Sequence, residues 1–252
     1  MKTALITGAT SGIGMEFARQ LAGRGFGLIL TGRRVERLEQ LKEELDVPVE
    51  IIAADLGKKK ECFSLLEKLK GKDIDLFINN AGFGLAGNFL YTDIDKEVNM
   101  IKVNDVAMHI LFKGILQRMH NAGKGDILNV ASSAGLLPAG PYMSTYYASK
   151  AYVVSLTRGV ACELKEKGSA VHVHALCPGP VDTEFNATAD VVFSLKGITP
   201  EKCVKDALRG IDRNRLIIVP SFKMKVVSVV QHLIPYPLLV KITGHQQKKK
   251  LG

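Results

Sequence analysis

At 252 residues the chain has room for one large α/β domain or two small ones. Apolar residues at 46% and charged residues at 23% match a globular composition and exclude a disordered or fibrous chain. Lysine and arginine outnumber acids 34 to 25, but Lys241, Lys248, Lys249 and Lys250 sit in the last twelve residues, leaving a dispersed 30 against 25. With no tryptophan, that excess supports no basic, aromatic-lined groove, so no nucleic-acid partner is expected.

Cys62, Cys162, Cys177 and Cys203 are far apart, with no CxxC and no nearby histidine at metal-ligand spacing. They read as reduced thiols, and neither a disulfide framework nor a metal site is expected. The opening MKTALITGAT reaches glycine too soon for a signal-peptide core, and no stretch offers the ~20 apolar residues of a membrane span. A cytoplasmic protein is expected.

In chain order, seven short apolar runs read as strands: Thr3–Thr7, Leu28–Thr31, Val49–Ala53, Leu76–Asn79, Asp126–Val130, Val171–Leu176 and Leu216–Val219. Amphipathic stretches separate them. Ile13, Phe17 and Leu21 make one helix face, and Leu38, Leu41 and Leu45 another. Lys96–His120 and Ser144–Lys167 are each long enough for one continuous helix, the second capped by Gly168. The predicted fold is a single doubly wound Rossmann-type α/β domain over 1–220, a seven-stranded parallel sheet with helices on both faces. Residues 183–200 interrupt the alternation with Phe185, Val191, Val192, Phe193 and Leu195, and read as a lid.

The first strand runs directly into Thr7-Gly8-Ala9-Thr10-Ser11-Gly12-Ile13-Gly14, which opens a helix. Glycines let the backbone approach a pyrophosphate, and free N–H groups at the helix start face the anion. A site for NAD would carry Asp or Glu at the end of the second strand to accept from the ribose 2′-hydroxyl. Here stand Gly32, Arg33 and Arg34. Guanidinium groups suit a 2′-phosphate, so the expected cofactor is NADP(H).

Tyr146 and Lys150 lie four apart on one helix face, where an ammonium would pull the phenol's pKa down toward working pH. Tyr147, three before Lys150, shares that face and competes for the role.

TGATSGIG at 7–14, NNAG at 79–82, Asn104 in KVND, NVASSAG at 129–135, YYASK at 146–150 and CPGPVDT at 177–183 follow one another in the order of the short-chain dehydrogenase/reductase family, which the chain resembles over about residues 1–220. Within it the likeness is to the NADP-dependent, DltE-like branch. The resemblance implies a catalytic tetrad of Tyr146 as general acid and base, Lys150 as its tuner and ribose ligand, Ser133 holding the substrate oxygen, and Asn104 anchoring a water on a proton path. Ser133 stands thirteen residues before Tyr146, which selects Tyr146 over Tyr147; Ser132 is the neighbour most easily confused with it. It further implies cofactor contacts from Gly8, Thr10, Ser11, Gly12, Ile13, Gly14, Arg33, Arg34, Asp55, Leu56, Asn80, Gly82, Pro178, Gly179, Val181 and Thr183. Four matching tetrad positions argue against a degenerate pseudoenzyme. Family members commonly dimerise through the two long helices, so a homodimer or higher homo-oligomer is expected.

The predicted function is hydride transfer between NADP(H) and a carbonyl/alcohol pair. Its alternative is a non-catalytic dinucleotide-binding sensor or scaffold. Phe83, Leu85, Leu136, Leu137, Tyr142, Met143, Phe185 and Phe193 suggest a lipophilic small-molecule substrate. His109, His120, His172 and His174 read as structural or surface residues. Residues 221–252 form an apolar extension of the same domain with a basic tail. Its three possible fates are pocket cover, subunit contact and membrane-surface contact, of which pocket cover is the one adopted.

Overall fold

The computed structural model describes residues 1–184 and 197–248. Seven parallel strands lie in the order β3-β2-β1-β4-β5-β6-β7. They are β1 (Thr3–Thr7), β2 (Gly27–Gly32), β3 (Val49–Ala53), β4 (Leu76–Asn79), β5 (Asp126–Val130), β6 (His172–Leu176) and β7 (Ile217–Ile218). The central runs are apolar throughout because helices cover both faces and leave neither to water: β2 is buried along its whole length. Each predicted strand is present; β1, β3, β4 and β5 have the predicted bounds, and the ends of β2, β6 and β7 differ by one residue at most.

On one face pack α1 (Gly12–Ala22), α2 (Val35–Glu43) and α7 (Pro200–Asp212), which bring Phe17, Leu21, Leu38, Leu41 and Val204 against Ile6, Leu30 and Ile78. On the other pack α3 (Lys59–Lys68), α5 (Met108–Ala122) and α6 (Ser144–Glu166), with Leu65, Leu111, Phe112, Ile115 and Val153 against Leu5, Phe77 and Ile127. Each of these fully buried side chains contributes about 1.5–3 kcal/mol. A short α4 (Ile94–Ile101) precedes α5.

The stretch predicted as one continuous helix at Lys96–His120 needs correction. Between α4 and α5, Lys102–Ala107 winds as a π-helix, and the wider turn carries Asn104. α6 follows its expected course and gives way to Gly168 at φ 61°, a left-handed position that glycine adopts without steric cost.

Buried polar groups tie the layers beneath the strand ends. Asn79 donates to the Met108 carbonyl at 3.0 Å and to Asn129 Oδ1 at 3.1 Å, and Asn129 donates to Thr157 Oγ1 at 3.0 Å. These bonds join β4, β5, α5 and α6 into one rigid base. His174, fully buried, meets the Arg215 carbonyl at 2.8 Å and Asp126 Oδ1 at 3.2 Å, a structural role as expected though with an acid partner the sequence spacing did not reveal. All four cysteines are free thiols, three of them buried. No helix among the described residues is long and apolar enough to cross a membrane.

Of the predicted lid, residues 185–196 lie outside the described residues, Phe185 and Phe193 with them. Its base is closed by Val181 bridging Ile198, with Asp182 N–H donating to the Ile198 carbonyl at 3.1 Å. Pro200 already belongs to α7, so the excursion ends at Thr199, whose side chain caps that helix.

After β7 the chain continues as α8 (Phe222–Val230), a 3₁₀ turn (Gln231–Leu233) and α9 (Tyr236–Lys248).

Candidate active site

Loops after β1 and β4 diverge where the strand order reverses, and a cleft of about 540 Å³ opens at the carboxyl ends of the strands there. Every predicted site residue lines this cleft except Gly14 and Asn104, which stand behind its wall.

At one end the loop from Gly8 to Ile13 turns into α1. Gly12 holds φ 53°, and a Cβ on Gly14 would lie 2.3 Å from the Gly8 carbonyl oxygen, so only glycine lets the loop close on itself. The first turn of α1 carries no acid and its N-cap Ser11 forms no side-chain bond to it, leaving the N–H groups open to an anion. Asn80 holds the loop in place, donating to the carbonyls of Thr7 at 2.9 Å and Gly8 at 3.2 Å.

At Gly32 a Cβ would meet Thr10 Cγ2 at 2.7 Å, so the acid that would read a ribose hydroxyl has no room. Arg34 donates to Thr10 Oγ1 at 3.1 Å and to the Thr10 carbonyl at 3.2 Å, and pairs with Glu184 at 3.2 Å. Arg37, one turn into α2, pairs with Glu184 at 2.7 Å. Arg33 also lines the cleft, and among the described residues its side chain makes no hydrogen bond or ion pair. This end is therefore cationic, with two of three guanidinium groups already engaged. The residues fit a pyrophosphate dinucleotide carrying an additional phosphate on its ribose.

At the other end Tyr146 and Lys150 rise from α6, both buried. The Lys150 ammonium donates to the Val130 carbonyl at 3.0 Å and lies 5.9 Å from the Tyr146 ring centre. Of the two adjacent serines, Ser132 is the one whose side chain acts on Tyr146, favouring the phenolate. Ser133, expected in that role, opens the 3₁₀ turn Ser133–Gly135, and its backbone N–H donates to the Pro178 carbonyl at 2.7 Å. Both serines line the cleft.

The expected depression of the phenol's pKa is also corrected. Burial pushes Tyr146 up to about 12, with the Ser132 side chain acting the other way, and burial lowers Lys150 to about 8 against the opposing charge of Asp105. Two ionisable groups shut away from water each favour the neutral form. Tyr147, burial-shifted upward as well, accepts from Gln247 Nε2 at 2.6 Å.

Asn104 is locked by three bonds. Its Oδ1 accepts from Phe83 N–H at 3.0 Å, and its Nδ2 donates to the Phe83 carbonyl at 2.9 Å and Ser149 Oγ at 3.1 Å. A Cβ on Gly82 would meet Asn104 Oδ1 at 2.9 Å and Lys150 Nζ at 3.3 Å, which shows how closely the two groups approach. Asp105 follows on the same π turn. Burial raises its carboxyl to about 6 against the nearby Lys150 charge, and its buried Oδ1 has no hydrogen-bond partner among the described residues.

Phe83 and Met143 line the cleft, whereas Leu85 and Leu137 support it from behind through Met143, Tyr146 and Tyr147. Leu136 packs on the main core, and neither it nor Tyr142 reaches the cleft wall. Sequence reasoning missed Arg37, Asp105 and Gln247. Arg37 was findable as a cation one turn beyond Arg33; Gln247 carried no local signal, because a hundred residues separate it from Tyr147.

Besides Gln247, the C-terminal segment touches the cleft wall at Gly179 and the surrounding loop at two further places. Met224 lies against Gly179, Gln231 donates to the Leu136 carbonyl at 2.9 Å, and Gly244 packs on Pro141. Its apolar face, expected to be buried, is not: Phe222, Val229 and Leu233 are 78%, 68% and 83% exposed.

Residues 2–191 match a family described as short chain dehydrogenase. A very-long-chain 3-oxoacyl-CoA reductase of Anas platyrhynchos is 33% identical over 214 residues, 81% of this chain and 67% of that protein. A sulfoacetaldehyde reductase of Chromohalobacter salexigens is 39% identical over 186 residues, 71% of this chain and 72% of its own. Among solved structures, a short-chain dehydrogenase from Sphingobium yanoikuyae in complex with NADPH superposes with a TM-score of 0.82 at 31% identity, covering 92% of this chain and 94% of that one.

Proposed function

The chain belongs to the short-chain dehydrogenase/reductase family and is an oxidoreductase of that kind; from that premise we propose that it interconverts a lipophilic carbonyl compound and its alcohol with NADP(H). The observation that carries the reading is that Tyr146, Lys150, Ser132 and Ser133 line the same cleft as the glycine loop Gly8 to Ile13.

When bound, the nicotinamide would supply or accept the hydride. Gly8 to Ile13 would hold the pyrophosphate on the start of α1, with Asp55 and Leu56 beside the adenine and Asn80 at a ribose. Arg33, uncommitted among the described residues, would take the 2′-phosphate. Its freedom and the closed space at Gly32 support NADP(H) over NAD, as does the NADPH complex of the Sphingobium relative.

Tyr146 keeps its proton at neutral pH because burial raises its pKa, so it is poised as the acid that protonates a carbonyl oxygen during reduction. Ser132 would hold that oxygen and steer it to the phenol, since it lines the cleft with Tyr146 and its side chain acts on that phenol. Lys150, fixed by the Val130 carbonyl, supplies positive charge beside the phenolate left after proton transfer. Asn104 holds the chain from Gly82 to Phe83 against Lys150, keeping the proton path in register.

Phe83, Met143, Tyr147 and Val181 make the substrate end largely apolar, which supports a lipophilic carbonyl. The reading includes a homodimer, supported by exposed apolar side chains on the long helices: Val98, Ile101 and Val106 ahead of α5, and Tyr152 on α6. NADPH oxidation followed by absorbance against a panel of aldehydes and ketones tests the proposal. Turnover should favour bulky apolar carbonyls and NADPH over NADH. Cofactor binding without turnover of any panel member would support the scaffold reading instead.

A further inference from the structure

Helix α8 faces the wrong way for a helix that closes a core. It has no buried residue. Phe222, Val226, Val229, Val230 and Leu233 recur at the i, i+4, i+7, i+8, i+11 spacing of one helix face, and all five are exposed. The opposite face turns inward, with Met224 on Gly179 and Gln231 on the Leu136 carbonyl. Lys223 and Lys225, both exposed, fall on the two borders between these faces. An apolar outer face edged by lysines is the arrangement of a helix lying in a membrane interface.

A second observation points to the same surface. Between α7, β7 and α8 lies a cavity of about 660 Å³ lined by Arg209, Arg213, Arg215 and Lys225. The one acid on its wall, Asp206, is already shared by Arg209 at 3.7 Å and Lys202 at 3.6 Å. Val229 belongs both to this wall and to the exposed apolar face. From residue 213 to the end the chain has eight lysines and arginines and no acid.

We propose that α8 docks the protein on an anionic phospholipid surface, its Phe222–Leu233 face in the interface and the adjoining Arg213, Arg215 and Lys225 holding headgroup phosphates. Charge complementarity selects this occupant. A second copy related by a two-fold axis would set the same cations against each other with no acid from this segment to meet them. A membrane of anionic lipid meets both the apolar face and the cations. Because the inner face of α8 rests on Gly179, docking also brings the wall of the catalytic cleft to the membrane surface. The inference goes beyond the reaction and does not rest on it.

The test is flotation of the full chain with vesicles of phosphatidylcholine alone and vesicles containing a third phosphatidylserine, at physiological and at high salt. Two double variants change only exposed side chains: Phe222→Ser with Val229→Ser, and Arg213→Gln with Arg215→Gln. The wild type should float with anionic vesicles and not with neutral ones, and release in high salt. The charge variant should bind roughly 25-fold more weakly, about fivefold per cation, and the apolar variant should fail to float at either salt. Retained NADPH binding by both variants shows that the fold is intact. Equal binding to the two vesicle types, or no binding, overturns the proposal. So does release by millimolar glycerol phosphate, which would identify a soluble phosphate ligand. Conversion of an oligomer to monomers by the apolar variant with vesicle binding unchanged would overturn it in favour of a subunit contact.

Discussion

Ser132 is the serine whose side chain acts on the Tyr146 phenol, while Ser133, one residue on, opens a 3₁₀ turn and is anchored through its backbone N–H to the Pro178 carbonyl. A hydrogen-bond donor aimed at the point where charge develops on a carbonyl oxygen commonly contributes about 10²-fold in rate. Ser132→Ala should therefore lower kcat by about that factor, and Ser133→Ala should stay within a few-fold of wild type. Steady-state kinetics of the two variants side by side check this; the reverse ranking would return the role to Ser133.

This is also where sequence reading met its limit. The central strands were legible because each is a short, mostly apolar run buried on both faces, a pattern local to itself. Counting thirteen residues back from Tyr146 picks Ser133, whereas Ser132 is the serine whose side chain acts on Tyr146, and the segment between is irregular, with Tyr142 at φ 66°. Periodicity likewise passed over the π turn at Asn104, since one widened turn inside a long helical stretch leaves the apolar spacing nearly unchanged. In the C-terminal segment, the apolar stripe of α8 was visible, but a stripe does not say whether it faces core or solvent.

Arg33→Ala should weaken NADPH binding far more than NADH binding, because the lost contact is to the 2′-phosphate alone. A charge-assisted bond to that group is worth roughly 1.5–3 kcal/mol, about 10- to 150-fold in Kd. Fluorescence titration with both cofactors measures the difference. Equal weakening would show that Arg33 does not read the phosphate.

The charge of Lys150 gives the reaction an alkaline limit. With its pKa lowered to about 8, the ammonium is present below that pH and lost above it, so kcat/KM for reduction should fall as pH rises through about 8. The Asp105 carboxylate supports that ammonium, and its removal in Asp105→Asn should move the falling limb to lower pH. A pH profile of each protein provides the check. A limb that stays in place or moves upward contradicts the coupling between Asp105 and Lys150.

Tyr147→Phe removes the hydroxyl that accepts from Gln247 and leaves Tyr146 and Lys150 unchanged. It should retain most of its kcat, with any loss confined to KM, because that bond ties α9 to the cleft wall. Michaelis–Menten analysis separates the two constants, and a collapse of kcat would implicate Tyr147 in the chemistry.

The most direct measurement is the turnover of Tyr146→Phe, which removes one phenolic oxygen and its proton from a buried site without disturbing its packing. NADPH oxidation with the best carbonyl substrate should fall by at least ~10²-fold, the lower range for a positioned general acid, while NADPH still binds with nearly wild-type affinity by fluorescence titration. Near-normal turnover by this variant would contradict the assignment of Tyr146 as the proton donor, and with it the mechanism.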